Sequence, residues 1–510
     1  MRINKNIINT ARKYPIIANL GYSSLKKYWS IKANFQAYQY PDDISKASVE
    51  KKLIIDFNKN RPYGPKQKIC YAPFNNLHFQ TNGDVSACSF NYDFILGNVN
   101  KNTIREIWEG AAANEFREKL GNYDFEFCKS CEHVLQAKNY SSFPPLKYDM
   151  YADDQTSYPN QMSFEMSNLC NFECVMCNEN FSSLIRKRKG LEPLKFNYPE
   201  RFFEELQEFL PHLKSATFIG GEPLLIKAYF RIWEDILRLN KNCIIHIQTN
   251  ASYLPPRFLE MLETGQFDVG ISLDATTKEI FESIRINSNF EEIQENIKIL
   301  KNFMDRGKVN LNINFCPMTN NRNEIPKILH YCNELSIPLK LVNLENPRNL
   351  SLHHRNKNFL KVLITSLEKE MPDDSKNIIK SKNNDSYKQF IGQLKYLLKK
   401  AEEREAFFHE HKKEISERFK ILFQESNLYN HFNKEQRNNS HEELTKYIGS
   451  FTDEEDLIIR TKFRIYYTLF RFKNSFKGES ATNFEYGLSI LKDMAKEFFL
   501  LEQEEQNYLH

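Results

Sequence analysis

From residue 159 onward, short runs of alternating or continuous apolar residues take turns with stretches in which the apolar positions recur at helical spacing. The first kind of run predicts strands at 161–167 (QMSFEMS), 214–219 (KSATFI), 243–249 (CIIHIQT), 267–273 (FDVGISL), 309–316 (VNLNINFC) and 338–344 (PLKLVNL). The second predicts helices near 172–188, 226–239, 255–264, 289–305 and 322–335. Strands alternating with helices specify parallel βαβ units with right-handed crossovers. Six strands are too few to close an eight-stranded barrel. The expectation is therefore an α/β fold, an open partial (β/α)6 barrel over 159–347, with its functional loops at the C-terminal ends of the strands.

The pattern changes on both sides of this region. Beyond about Arg348 the strand signal stops, and long Lys/Glu-rich helical pattern predicts a helical domain over 348–510, for example from Tyr387 to Phe423 and from Asp453 to Phe472. Its charge runs read as solvated helix faces joined by intrahelical ion pairs. Ahead of the barrel, residues 68–135 carry short strand-like pieces, a turn at Asn82-Gly83-Asp84 and a helical stretch from Thr103 to Leu120, which together predict a small cysteine-bearing module. Residues 136–158, with Pro144 and Pro145 among Ser, Tyr and Asp, read as a linker. Residues 1–67 form a basic N-terminal arm. Up to residue 41 it holds Arg2, Lys5, Arg12, Lys13, Lys26, Lys27 and Lys32 with no acidic residue, interleaved with Ile7, Ile8, Ile16, Ile17, Tyr28 and Trp29. That pattern suits contact with a membrane surface or a partner, and equally a wrap whose basic face is solvated; an organelle-targeting peptide shares the composition.

The chain has 510 residues, 41% apolar and 27% charged, enough core-forming material to exclude disorder as its general state and enough length for about three domains. A net charge of +4 gives no reason to expect nucleic acid as a partner. No apolar run approaches the ~18 residues needed to cross a bilayer, and the N-terminus lacks a secretory hydrophobic segment, so the expected location is cytoplasmic. In that compartment the ten cysteines should be reduced, and their grouping then reads as metal ligation.

The tightest group is Cys170-x3-Cys174-x2-Cys177, directly after the first barrel strand. Three thiolates on one loop can ligate three irons of a 4Fe–4S cluster and leave the fourth iron open. Zinc or buried thiols are the plainer alternatives, although structural zinc sites want four ligands in paired spacings. With this loop the chain resembles the radical S-adenosylmethionine (radical SAM) superfamily. The resemblance implies that the open iron binds S-adenosylmethionine, whose reductive cleavage gives methionine and a 5′-deoxyadenosyl radical. Met176 stands where the superfamily often has an aromatic residue beside the adenine. Gly220-Gly221-Glu222-Pro223 ends the second strand and matches the family's GGEP segment, its glycines allowing close backbone approach and its carbonyls and Glu222 carboxylate able to accept from a cofactor ammonium. Asn250 closes the third strand; Ser272 and Asp274 share a face at the end of the fourth. The resemblance assigns Asn250 and Ser272 to the cofactor and turns Asp274 toward cofactor or substrate, whereas a helix cap is the plainer reading of a strand-end Ser or Asp. Arg285 resembles a family arginine that pairs with the cofactor carboxylate; as a helix residue it equally suits a surface ion pair.

The earlier cysteines form a second pattern, Cys70-x12-Gly83-x4-Cys88, then a 39-residue gap, then Cys128-x2-Cys131. Four thiolates can fully ligate one auxiliary 4Fe–4S cluster, or one zinc ion. With Leu96-Gly97-Asn98-Val99 and Ile104-x2-Ile107-Trp108, the segment resembles the SPASM/twitch module of the superfamily, in its shorter one-cluster form. Such modules typically follow the barrel; this one precedes it. Full protein ligation suits electron transfer or a structural role.

Cys316, at the end of the fifth strand, is a candidate hydrogen-atom donor or simply a buried small hydrophobe, as are Cys243 and Cys332. The run Arg186 to Lys189 reads as compensation of a helix dipole, or as an anionic-substrate patch. The resemblance implies hydrogen abstraction from an unactivated C–H bond, a flavodoxin- or ferredoxin-like external one-electron reductant, and an auxiliary cluster able to accept an electron from the product radical. It points to a ribosomally made peptide or protein as substrate, with a small molecule such as a sugar or lipid-linked intermediate as the second reading. A non-catalytic iron–sulfur carrier or sensor is the alternative of another class.

Overall fold

The computed structural model describes residues 47–136, 140, 143–152, 157–373 and 375–425. The basic stretch of residues 1–41 and the helical stretch expected from Asp453 to Phe472 lie outside the described residues. Nine strands are described: β1 (Asn76–Phe79), β2 (Asp84–Ser86), β3 (Gly97–Asn98), β4 (Gln161–Phe164), β5 (Ser215–Phe218), β6 (Ile244–Thr249), β7 (Gln266–Ser272), β8 (Val309–Phe315) and β9 (Leu339–Leu341). Their order in the sheet is β3-β2-β1-β4-β5-β6-β7-β8-β9. The last six are the six strands read from the sequence. They lie side by side in chain order, the order of a partial barrel.

The chain divides into two compact units. The first contains β1 to β6, nearly all of β7, the start of β8 and the segment through Glu173. Its sheet has two unlike faces. On one, Leu77, Met162, Ala216, Ile245 and Phe267 stand in register, and beside them Phe79, Phe164, Phe218, Ile247 and Val269, all of them buried. Phe79, Phe164 and Phe218 stack at 5.2 and 4.8 Å. Helices cover this face: Phe202 of helix Glu200–Phe209 meets Phe79 edge-on, and Trp233 of helix Lys227–Leu239 meets Phe218. Each such ring contributes about 1.5–3 kcal/mol by burial. On the other face the registered row reads His78, Ser163, Thr217, His246 and Asp268, and it is polar throughout.

Several local expectations are corrected. The helix expected near 172–188 is only Ser183–Arg188, because the cysteine loop before it is irregular and Ser182 caps the helix at Ile185. The crossover helix Glu200–Phe209 was not expected; Pro199 immediately before it hides an apolar spacing that buries Phe202, Phe203, Leu206 and Phe209. The stretch from Thr103 to Leu120 is two helices, Ile104–Glu109 and Ala111–Gly121, the first begun by a capping box between Thr103 and Glu106. The hairpin of β1 and β2 belongs to the same sheet. β1 pairs in parallel with β4, matching His78 to Ser163, and so extends the parallel sheet by the strand that follows Cys70.

The second unit holds Cys174–Met176, Ser272–Ile286 and the described residues from Asn312 onward. There β8 pairs with β9, and helices Lys357–Lys369 and Ile378–Glu425 follow, joined where Tyr387 Oη donates to the Leu367 carbonyl at 3.0 Å. Among the described residues, no helix is long and apolar enough to cross a membrane.

Candidate active site

The loop after β4 is held by its neighbours' side chains rather than by helical hydrogen bonds. Ser183 Oγ receives the Cys170 N–H at 3.2 Å and donates to the Cys170 carbonyl, while Ser182 Oγ donates to the Phe172 carbonyl at 2.7 Å. Asn171 accepts from Asn250 Nδ2 at 3.0 Å and donates to Ser252 Oγ at 2.9 Å. Asn250 therefore ties the cysteine loop to the end of β6. Its side chain joins Asn171 to the Ser252 N–H.

Gly220 to Pro223 press against the same segment from β5. The Gly221 N–H donates to the Ser167 carbonyl at 2.9 Å and the Glu222 N–H to the Leu169 carbonyl at 2.7 Å. Gly220 has φ +116°, and a Cβ there would lie 2.6 Å from the Ser167 oxygen. A Cβ on Gly221 would overlap the Leu169 carbonyl outright. The close approach these glycines permit is thus to the chain itself. Pro223 opens a buried 3-10 turn, Pro223–Leu225. The Glu222 carboxylate faces inward, 2% exposed, and accepts from Thr249 Oγ1 at 2.6 Å, the Asn250 N–H at 2.7 Å and the Leu224 N–H at 3.1 Å. Through these bonds it fastens the GGEP turn to β6. Removing it in Glu222→Ala leaves three buried donors unpaired and should lower stability by about 2–4 kcal/mol in urea unfolding.

In the second unit, Asp274 is fully buried. Its Oδ1 accepts the Cys316 N–H at 2.8 Å and its Oδ2 pairs with Arg285 Nη2 at 2.6 Å. Arg285 Nη1 points to Cys174 Sγ at 3.7 Å. Asp274 thus ties Arg285 to the backbone at Cys316. Burial and the Asp274 charge push the Cys316 thiol up to about 12, so it keeps its proton at neutral pH. Val175 N–H donates to the Ile284 carbonyl at 2.9 Å, and Met176 packs in the small apolar cluster of Ile284, Met318 and Leu350. Ser272 ends β7, half-buried.

The four earlier cysteines converge. Cys70, Cys88, Cys128 and Cys131 line one cavity with Phe125 and Tyr148, about 340 Å3 counting its solvent-open part. Gly83, at φ +84°, makes the turn that returns the chain from β1 to β2 and so brings Cys88 round. Cys70 Sγ accepts from the Ala72 N–H at 3.4 Å and Cys128 Sγ from Asn91 Nδ2 at 3.7 Å. Burial raises all four thiols; Cys131 reaches about 12, with the Cys88 charge adding to it. Four thiols gathered in an apolar cavity fit a group that supplies compensating positive charge.

Residues 164–332 match the model of the radical SAM superfamily, and residues 70–132 match that of the SPASM iron–sulfur cluster-binding domain. The chain carries a radical SAM domain preceded by a SPASM domain. These domains imply 4Fe–4S clusters and S-adenosylmethionine, and thiolates are the ligands such clusters take. The radical SAM region is 29% identical over 170 residues to a cysteine-type anaerobic sulfatase-maturating enzyme of Clostridium novyi, covering 32% of this chain and 45% of that protein. A probable GTP 3′,8-cyclase of Methanocaldococcus jannaschii is 24% identical over 184 residues, covering 36% of this chain and 57% of that one. The chain thus spans about half the length of these curated relatives. Among solved structures, anSMEcpe with bound AdoMet aligns with TM-score 0.33 and 21% identity over 41% of this chain and 59% of that one. SuiB of Streptococcus suis aligns with TM-score 0.31 and 16% identity over 48% and 58%.

The residues that grip the radical SAM loop include several that motif reading passed over, namely Asn171, Ser182 and Ser183. Only their position beside a motif could have marked them.

Proposed function

We propose that this protein is a radical SAM enzyme that reductively cleaves S-adenosylmethionine and abstracts hydrogen from an unactivated C–H bond of a peptide or protein. The observation that carries the reading is the three-cysteine loop after β4, clamped by the glycine turn that ends β5. When bound at Cys170, Cys174 and Cys177, a reduced 4Fe–4S cluster supplies the electron that splits the cofactor's sulfonium bond. The chain's own part is positional. Asn171, Ser182 and Ser183 fix the loop, Arg285 sets a guanidinium against Cys174, and the backbone carbonyls of Gly220 to Pro223 are the acceptors for a cofactor ammonium. Cys70, Cys88, Cys128 and Cys131 hold the auxiliary cluster, which serves electron transfer.

A peptide or protein substrate is supported by the SPASM domain together with the sulfatase-maturating relative. The GTP 3′,8-cyclase relative favours the second reading, the same radical chemistry on a small molecule. After anaerobic reconstitution, dithionite and S-adenosylmethionine should yield 5′-deoxyadenosine from the wild type and none from Cys174→Ala. Equal yields would overturn the radical reading.

A further inference from the structure

The polar face of the first unit holds a carboxylate that no Lys or Arg among the described residues neutralises. Glu165 follows β4 directly and is 5% exposed. Its Oε2 accepts from Tyr92 Oη at 3.0 Å. His78, on β1, brings Nε2 to 3.9 Å from the same oxygen; that nitrogen is buried and has no hydrogen-bond partner. The other ring nitrogen, Nδ1, meets Ser163 Oγ at 2.9 Å. The Tyr92 ring stands edge-on to His78 at 5.9 Å, and Tyr92 is 44% exposed. Four protic side chains thus run in sequence from solvent to the registered row of Ser163, Thr217, His246 and Asp268.

A carboxylate kept permanently ionised in such surroundings calls for a cation or several N–H donors. Glu165 has one phenol. A proton meets the same need and is free to leave. A purely structural hydrogen bond would require neither an exposed tyrosine at one end nor an orphaned imidazole nitrogen at the other.

We propose that Tyr92, Glu165 and His78 form a proton relay between solvent and the polar face of the sheet, with Glu165 as the group that takes up and returns the proton. Each hop moves one proton along the chain and needs no oxidant. The neutral imidazole accepts at one nitrogen as it donates from the other, once Nε2 closes on Glu165. Burial, opposed by the Tyr92 bond, raises the Glu165 carboxyl to about 7. Burial, then the Lys147 charge, lowers His78 to about 3. The remaining titratable groups facing Glu165 are Tyr92, Tyr198 and Tyr229, all raised by burial. Glu165 is therefore the member that changes charge across neutrality. The use of the relay in turnover rests on the function proposed above; its protonation chemistry does not.

Infrared spectra of the full chain labelled with 13C-glutamate, taken from about pH 5 to about pH 9, test this. A protonated-carboxyl band should be present in the wild type, absent in Glu165→Gln, and fade with a midpoint near neutrality. Tyr92→Phe, which lacks the donor favouring the charged form, should move that midpoint upward, and it decides the matter alone should Glu165→Gln not fold. A glutamate ionised throughout the range, or a midpoint unmoved by Tyr92→Phe, overturns the relay. Deoxyadenosine measured on the same samples keeps the two readings apart: its absence from the wild type would sink the radical function while the infrared result still judges the relay.

Discussion

Gly221→Ala should lose about 3 kcal/mol or more of stability, because the added methyl has no free volume to enter. The atoms it would meet are the carbonyl of Leu169 and the backbone of Asn168, not the far end of a mobile side chain. Relief requires moving the segment that leads into Cys170, so the defect should reach the three-cysteine loop as well. The expected result is an early urea midpoint together with loss of the visible absorption of the cluster at Cys170, Cys174 and Cys177. Absorption from Cys70, Cys88, Cys128 and Cys131 should persist in whatever fraction stays folded. A variant with unchanged midpoint and full iron content would show that the turn is more pliant than its hydrogen bonds indicate.

The second large effect is expected at Asp149. Arg61 donates to it from Nε at 2.9 Å and Nη2 at 3.0 Å, and both side chains are fully buried. The same guanidinium donates to the carbonyls of Lys68 at 2.8 Å and Ile69 at 2.7 Å, the two residues before Cys70. Asp149→Ala leaves that cation uncompensated, which costs about 3–5 kcal/mol. It also frees the strand of chain that presents Cys70 to the cavity. Iron bound per chain after reconstitution should fall from about eight to about four, the loss being of the auxiliary cluster. Retention of both clusters would mean that Cys70 is placed without Arg61.

What was legible in the sequence is what depends on spacing within a few residues. Strand and helix periods marked the six strands and most of their crossover helices, Glu200–Phe209 excepted, and the Cys70 pattern marked the four thiols that line one cavity. Illegible were the partners chosen by strongly polar side chains. Glu222, Asn250, Asp274 and Arg285 each have a chemistry that suits a cofactor, and each has a partner in a distant part of the chain that no spacing announces. No local pattern reveals that Asn250 lies opposite Asn171, 79 positions earlier, or that Asp274 sits between Arg285 and Cys316. The pairing of β1 with β4 is the same kind of long-range fact, joining His78 to Ser163 across 85 positions.

That pairing bears on how the chain is made. Synthesis runs from the N-terminus, so β1 and β2 leave the ribosome well before β4. A two-stranded hairpin is marginal alone, and its Arg61 stays unmatched until Asp149 emerges, 88 positions later. Asp149 precedes Gln161, where β4 begins. The small module can therefore close first and offer a finished strand edge to the barrel as each βα unit is added. An auxiliary domain placed before the barrel can in this way serve as the template on which the parallel sheet is laid down.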